Sequence, residues 1–369
     1  MEFLDLKTQQ KRIRKPLEKR LNAILDHGAY IMGPEVHELE EKLAEYCGVK
    51  HAISCSSGTD ALLIPLMAWG IGPGDAVFTT PFTYVATAEV IALLGATPVF
   101  VDVYDSTFNI DCEKLEIAIQ ETIKNGELKP KAIIPVDLFG VPARYRLIDS
   151  IAKKYSLKVI EDGAQSFGAS IGEKKVGTFG DIAATSFYPA KPLGCYGDGG
   201  AMFTNDDNLA EQCKAIRIHG TSSDKYNSEV IGLNGRLDSM QAAVLLEKLT
   251  IFDEELEMRN QVNDYYRKFL NNAQYIPNNY HSAHALFSIT LGSNKKRDEL
   301  VNRLNQNSIP NVIYYKYPIH LMKGFSYLQY KKGDFRIAEA LSKRIVSLPM
   351  HPYITEPEVD LLLQVLKSK

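Results

Sequence analysis

Cysteine is scarce in this sequence, and its five copies show no regular spacing. Cys47, Cys55, Cys112, Cys195 and Cys213 form neither a CxxC pair nor the framework of a disulfide-rich domain. With 369 residues, the chain can bury a full core without covalent cross-links. We therefore expect reduced thiols and a cytoplasmic protein.

An excess of charge of one sign is also missing. The chain has 42 lysines and arginines against 45 aspartates and glutamates, which leaves a net charge of -3. Proteins that bind nucleic acid present an excess of basic residues to the phosphate backbone, so we expect no nucleic-acid partner. An anionic small molecule remains a candidate ligand, because a local cationic pocket does not require a cationic protein.

Long apolar runs are absent as well. The most apolar stretch, residues 86–103, is interrupted by Glu89, Gly95, Pro98 and Asp102, and it predicts a helix followed by a strand. The N-terminal residues 1–21 mix charged and polar side chains and lack the apolar segment typical of a secretion signal. We expect neither a membrane span nor a membrane partner.

The common nucleotide and metal motifs are missing too. No GxGxxG opens a helix after a strand and no GxxxxGK[ST] occurs, which argues against a dinucleotide cofactor and a P-loop. The glycine-rich run at 194–200 precedes a predicted strand instead of following one. His281 and His284 lie three residues apart without an acidic or cysteine partner, so we expect no metal, with ligation by this pair as the alternative.

The first 240 residues alternate short apolar strands with longer helical stretches. The predicted strands are 51–55, 76–79, 98–103, 132–136 and 157–160. The predicted helices are 32–47, one that opens at Gly58, 87–94, 112–124 and 147–155. This alternation is typical of an α/β fold with a mostly parallel sheet wrapped by helices.

The pattern changes after about residue 240. One long helix is predicted over 239–270, then a strand over 283–291 and helices over 295–306 and 356–367. We therefore predict a large cofactor-binding domain over residues 1–245 and a smaller C-terminal α/β domain over residues 246–369.

Three segments place reactive residues where ligands bind in a parallel sheet, at the carboxyl ends of the strands. Asp162 ends one strand, Lys191 follows a second, and Gly58-Thr59 open a helix after a third. Pyridoxal phosphate needs these parts: an acid for its ring nitrogen, a lysine for a Schiff base and a helix N-terminus for its phosphate. Singly, each has an ordinary interpretation, as a helix cap for Asp162 and Gly58-Thr59 and a surface loop residue for Lys191.

Motifs along nearly the whole chain resemble the sugar-nucleotide aminotransferases, pyridoxal-phosphate enzymes of the aspartate-aminotransferase fold (fold type I). The matching motifs are FLDL at 3–6, YIMGPE at 30–35, SGTDAL at 57–62, GPGD at 72–75, FTYVATA at 82–88, IEDGAQS at 160–166, SFYPAKPLG at 186–194, GDGGA at 197–201, NGRLD at 234–238 and LPMHP at 348–352. The resemblance implies that fold, with pyridoxal 5'-phosphate as the cofactor.

The resemblance also implies a role for each residue around the cofactor ring. Lys191 would bind the cofactor covalently and later move the proton, and Asp162 would pair with the pyridinium nitrogen. Gln165 would hydrogen-bond near the ring hydroxyl, and Tyr84 would stack on the ring face.

For the phosphate, the resemblance implies Gly58, Thr59 and Ser186, together with Asn234 from the neighbouring subunit. The active form would then be a homodimer with shared active sites. The alternative for Asn234 is an ordinary turn with the following glycine.

Within the family, the runs at 160–169 and 191–200 resemble UDP-2-acetamido-2-deoxy-3-oxo-glucuronate aminotransferases in particular. Arg236, Tyr314 and Tyr315 would then contact the sugar nucleotide, with core or interface packing as the alternative for the two tyrosines. Tyr314 stands where a histidine is common in the family, Lys316 where a proline is common, and Asp137 where some members carry histidine. These departures leave the identity of the sugar open.

The resemblance therefore implies an aminotransferase that converts a keto sugar nucleotide, UDP-linked and 3-keto, to an amino sugar nucleotide, with glutamate as the amino donor. The alternatives are a dTDP-linked or 4-keto substrate and a non-catalytic binding protein with the same fold. A third alternative, a sugar dehydratase, would carry histidine in place of Lys191.

Overall fold

A computed structural model describes residues 1–221 and 226–367. Across these residues the strands are β1 (His51–Cys55), β2 (Asp75–Thr79), β3 (Thr97–Phe100), β4 (Lys129–Ile133), β5 (Lys158–Asp162), β6 (Ser170–Ile171), β7 (Lys174–Lys175), β8 (Ile182–Ser186), β9 (Gly200–Thr204), β10 (Tyr280–His281), β11 (Phe287–Thr290) and β12 (Ile345–Leu348). The α-helices are α1 (Leu6–His27), α2 (Pro34–Cys47), α3 (Gly58–Ala68), α4 (Ala86–Leu93), α5 (Cys112–Asn125), α6 (Tyr145–Tyr155), α7 (Asp207–Arg217), α8 (Ser239–Leu249), α9 (Phe252–Arg267), α10 (Asn294–Gln306), α11 (Arg336–Arg344) and α12 (Glu356–Lys367).

The main sheet has seven strands within the described residues, in the order β1-β9-β8-β5-β4-β2-β3. Strand β9 is antiparallel to both of its neighbours, and the other neighbouring pairs are parallel. The predicted strands all form, but those expected over 98–103 and 132–136 already end at Phe100 and Ile133. Because parallel strands end at the same edge, β1, β5 and β8 bring the segments that follow them together.

Helix α1 was not predicted, because its segment contains few apolar residues. Those few nevertheless follow a helical period, and Ile13, Leu17 and Ile24 are buried in one cluster with residues of α2 and α8. Asp5 starts the helix by accepting a hydrogen bond from the amide of Thr8 at 2.9 Å. The N-terminus therefore belongs to the core that supports the main sheet.

The prediction of one helix over 239–270 is wrong, because the chain breaks it into α8 and α9 at Thr250 and Ile251. The Thr250 hydroxyl donates to the carbonyl of Glu247 at 2.6 Å, a local bond that competes with the helical ladder. Helix α9 then opens with three consecutive acidic residues, 253–255, which favour a helix N-terminus. That acidic run is a sequence signal for the break.

The C-terminal part forms its own small layer of structure. Strands β11 and β12 pair antiparallel, and apolar residues of α9, α10 and α12 pack with them in one cluster. The proposed division at residues 245 and 246 falls inside α8 and stays a prediction. The last two residues of the predicted small domain lie outside the described residues.

Three features of the described residues bear on the expected thiols, membrane span and metal. The five cysteines, all within the described residues, are buried and free of disulfides. None of the helices in 1–221 and 226–367 has the length and apolarity needed to cross a membrane. In the same residues no group of three or more His, Cys, Asp and Glu side chains could hold a metal ion. His284 is buried, and burial together with Arg267 and Arg259 lowers its pKa to about 3.

Candidate active site

Asp162 ends β5 as a nearly buried carboxylate, with 4% of its surface exposed. The Thr87 hydroxyl on α4 donates to its Oδ2 at 2.8 Å, and the amide of Ala164 donates to its Oδ1 at 3.3 Å. Burial raises the pKa of this carboxyl, whereas Thr87, Ala164 and the charge of Lys191 act to lower it. The acid is thus held in one orientation by donors that favour its ionised form.

Lys191 lies in the turn that follows β8, and its amide donates to the carbonyl of Tyr188 at 2.8 Å. Burial lowers the pKa of its amine, and the charge of Asp162 partly opposes that shift. In the described part of the chain, no hydrogen bond or ion pair engages its Nζ. A desolvated amine without a partner is suited to act as a nucleophile and a base.

Helix α3 supplies the third element, an open helix N-terminus after β1. Ser57 caps the helix through a bond from the amide of Asp60 at 3.1 Å. The amides of Gly58 and Thr59 belong to the first turn, which helix geometry leaves without intrahelical acceptors. A side chain at Gly58 would lie 2.6 Å from Cβ of Ser186, so the two amides and the Ser186 hydroxyl line one small cradle. Such a cradle fits a phosphate group.

Gly58→Ala should lower the affinity for the cofactor by about 10- to 100-fold. The added methyl group must displace Ser186, and the displaced hydroxyl would lose its hydrogen bond to the charged phosphate. The measurement is a titration of the apoprotein with pyridoxal phosphate. Gly324→Ala is the control, since nothing lies within 4 Å of a Cβ at that position. An unchanged dissociation constant for Gly58→Ala would contradict the cradle.

The glycine-rich run at 194–200 has a structural explanation. Gly200 begins β9, and a Cβ there would lie 2.4 Å from the carbonyl oxygen of Ser57 and 2.8 Å from the amide of Gly58. The absence of a side chain therefore allows β9 to pack against the turn that opens α3. As predicted, this run precedes a strand.

Gln165 and Tyr315 join the two parts of the chain at the site. The Gln165 amide donates to the Tyr315 hydroxyl at 2.9 Å, and its Oε1 accepts from the amide of Phe139 at 2.8 Å. The Tyr315 ring packs edge-on to Phe82 and stacks with Phe139. Tyr315 therefore lies both in an aromatic cluster and next to a predicted cofactor ligand.

The other predicted site residues lie closer to solvent. Tyr84 is 59% exposed in the loop before α4, and Tyr314 is half-buried beside Tyr315. Asn234 is exposed, and its Oδ1 accepts from Nε and Nη2 of Arg236 at 3.1 and 2.6 Å. The carbonyl of Gly235 between them accepts from the amide of Ser56 at 3.0 Å, which ties this loop to the start of the cradle.

Two functional positions were missed by the sequence reasoning. Thr87, which orients Asp162, lies inside the FTYVATA motif at 82–88, but within that motif only Tyr84 was given a role. Asp137, noted only as a departure from the family, is fully buried and accepts bonds from the Tyr145 and Ser166 hydroxyls at 2.8 and 2.9 Å. Burial raises the pKa of Asp137 to about 7. Its amide donates to the carbonyl of Asp162 at 3.0 Å, so it supports the strand end that carries the acid.

Comparison with known proteins agrees with this geometry. Residues 11–367 match the DegT/DnrJ/EryC1/StrS aminotransferase family. A UDP-2-acetamido-2-deoxy-3-oxo-D-glucuronate aminotransferase from Pseudomonas aeruginosa is 43% identical over 100% of both chains. A protein from Geobacillus stearothermophilus named a pleiotropic regulatory protein is 42% identical over 98% of this chain and 96% of its own.

A solved structure is also similar over the whole chain. A DegT DnrJ EryC1 StrS aminotransferase from Brucella abortus has a TM-score of 0.95 and 48% identity, covering 100% of this chain and 98% of that one. The predicted family, fold class and cofactor are thereby confirmed. The chain belongs to the DegT/DnrJ/EryC1/StrS aminotransferase family and is a pyridoxal-phosphate-dependent aminotransferase of fold type I.

Proposed function

We propose that the protein transfers an amino group from glutamate to the keto carbon of a UDP-linked 3-keto sugar, giving an amino sugar nucleotide. The observation that carries the reaction type is the convergence of the Lys191 amine, the Asp162 carboxylate and the Gly58 cradle at one edge of the sheet. The sugar follows the substrate named for the Pseudomonas aeruginosa relative. The five free, buried thiols support a cytoplasmic location.

The residues of this chain would divide the work as follows. The amides of Gly58 and Thr59 and the Ser186 hydroxyl hold the phosphate, and Asp162 keeps a proton on the ring nitrogen. Bound there, pyridoxal phosphate supplies an electron sink for the carbon that loses its proton. Lys191, whose pKa is lowered by burial, has more of its amine in the neutral form that can accept and return that proton.

The predicted contacts with the ring and the sugar complete this assignment. Gln165 would hydrogen-bond near the ring hydroxyl while Tyr315 holds its amide, and Tyr84 would cover the open ring face. Arg236, Tyr314 and Tyr315 would contact the sugar nucleotide. The exposure of Tyr84 and the half-burial of Tyr314 support these roles, because a substrate must reach them.

A panel of keto sugar nucleotides tests the substrate. UDP-linked and dTDP-linked sugars with the keto group at carbon 3 or carbon 4 are incubated with glutamate, and the products are analysed by mass. We expect conversion of the UDP-linked 3-keto sugar and formation of 2-oxoglutarate in equal amount. Preferred conversion of a dTDP-linked or 4-keto sugar would replace the proposed substrate but keep the reaction.

The name of the Geobacillus stearothermophilus relative calls for a test of the binding-protein alternative. An enzyme with Lys191 in its proposed role should show a visible absorption band with bound pyridoxal phosphate, and glutamate should bleach it. If the absorption band persists in excess glutamate and with every other amino donor tested, the protein binds the cofactor without transferring an amino group.

We further propose a homodimer with shared sites. Ile231 is 85% exposed close to Asn234, and Tyr30 and Ile31 are exposed beside the segment that continues to Asp238, with which Ile31 forms a β-bridge. Exposed apolar side chains around a predicted ligand loop support a surface covered by a partner. In an isologous dimer, symmetry would place the loop of each subunit at the active site of the other.

Complementation should restore activity if the sites are shared. Lys191→Ala protein is mixed with an Asn234→Ala, Arg236→Ala double variant under conditions that exchange subunits. In a mixed dimer, one of the two sites has an intact Lys191 from one subunit and an intact Asn234 and Arg236 from the other. About half of the dimers are mixed, so the mixture should recover up to about a quarter of the parent activity. Two differently tagged parent proteins serve as the control for exchange. Full exchange without recovery would show that each site is built within one chain.

A further inference from the structure

Lys248 on α8 is a buried lysine that is not one of the predicted site residues. Only 1% of its surface is exposed, yet no carboxylate in 1–221 or 226–367 forms an ion pair with it. Its Nζ donates to the carbonyl of Gly194 at 2.6 Å and lies 4.4 Å from the centre of the Tyr196 ring. Both contacts are to the segment that follows Lys191. A buried amine is costly to desolvate, so its partners indicate what it does.

The segment from Phe187 to Cys195 is a closed loop with Lys191 inside it. The amide of Cys195 donates to the carbonyl of Phe187 at 2.7 Å, which joins the two ends. The amide of Lys191 donates to the carbonyl of Tyr188 within the loop. Gly194 packs directly on this turn, because a Cβ there would lie 2.6 Å from the carbonyl oxygen of Tyr188. Holding Gly194 therefore holds the turn that presents Lys191.

We propose that Lys248 is a positioning residue for Lys191, which it fixes by clamping the Gly194 end of this loop through its hydrogen bond and its contact with Tyr196. Helix α8 is anchored in the core with α1 and α2, so the clamp ties the loop to a rigid support. The inference rests on the proposed function of Lys191, and Lys248 itself contacts neither the acid nor the cradle.

The test measures Lys191 in the apoprotein, where substrate and cofactor play no part. Acetylation of Lys191 as a function of pH, followed by peptide mass analysis, gives the pKa and the accessibility of its amine. In Lys248→Met we expect the pKa to rise toward the ordinary value of about 10.4, because the released loop exposes the amine to water. Lys175→Met is the matched control, since Lys175 also lies over a ring, 3.6 Å from the centre of Tyr46, but is bonded to no part of this loop.

Lys248→Gln separates the clamp from simple charge. Glutamine lacks the charge but keeps a donor for the Gly194 carbonyl. The pKa of Lys191 in Lys248→Gln should therefore stay closer to the parent value than it does in Lys248→Met. The amides of Lys191 and Cys195 should also exchange with deuterium about tenfold faster in Lys248→Met than in the parent or in Lys175→Met. If Lys248→Met does not fold, Lys248→Leu takes its place.

Two results would overturn the clamp. The first is that Lys248→Met has the same Lys191 pKa as the parent and the same rates of deuterium exchange at the loop amides. The other is an equal pKa shift in the methionine and glutamine variants, which would indicate lost charge alone. A clamp confirmed in the apoprotein without activity toward any keto sugar nucleotide would instead count against the proposed function.

Discussion

Replacing Lys191 with alanine should lower the rate of transamination by about 10⁴-fold or more, because the variant loses both the nucleophile and the base. The fold should persist, since the Lys191 side chain has no hydrogen-bond partner in the described residues and its backbone bond to Tyr188 does not depend on it. The measurement is the formation of 2-oxoglutarate from glutamate, together with the thermal unfolding temperature of the apoprotein.

Lys191→Arg and Lys42→Ala are the controls for this prediction. Arginine keeps the charge but cannot lose its proton, so this variant should be as inactive as Lys191→Ala. Lys42 is exposed and, among the described residues, forms an ion pair with Glu45 alone, so its loss should leave the rate unchanged. Parent-like turnover by purified Lys191→Ala would show that another group carries out the proton transfer.

Asp162→Asn should lower the rate by at least about 10²-fold while most of the cofactor remains bound. A neutral amide cannot hold the ring nitrogen in its protonated form, so the electron sink weakens. The cradle at Gly58 and Ser186 is unchanged by this substitution, which is why binding should suffer less than turnover. Cofactor content by absorbance and single-turnover rates with glutamate measure the two effects separately.

Thr87→Val distinguishes the charge of Asp162 from its orientation. Valine has nearly the same shape as threonine but does not donate to Oδ2, so the acid keeps its charge and loses one restraint. We expect a loss of about tenfold, between the parent and Asp162→Asn. Equal rates for parent and Asp162→Asn at saturating cofactor would remove Asp162 from its proposed role.

Local patterns, together with the resemblance to the family, were enough to predict the fold and to propose the reacting groups. The segment that ends in Ile160-Glu161-Asp162 reads as a buried strand closed by an acid, and β5 has that form. The helix start at Gly58 and the strand before Lys191 were equally visible, because capping and strand patterns act over a few residues. Once three parallel strands are predicted, sheet geometry brings their ends together.

Predictions failed where a signal was weak or was not weighed. Helix α1 was missed because its apolar residues are sparse, although Ile13, Leu17 and Ile24 keep a helical period. The break before α9 was missed because apolar residues continue at helical spacing on both sides of it. Such spacing does not show whether the backbone turns between two of these residues.

By its local patterns and its resemblance to the family, the sequence determined the α/β fold and the pyridoxal-phosphate cofactor, and it predicted Lys191, Asp162 and the cradle at Gly58 as the groups that hold this cofactor. The tertiary structure alone decided what holds these groups in place. Thr87 orients Asp162 across 75 positions, Tyr315 holds Gln165 across 150, and Lys248 clamps Gly194 across 54. Such contacts join helices and loops that are far apart along the chain, so no spacing within one segment encodes them.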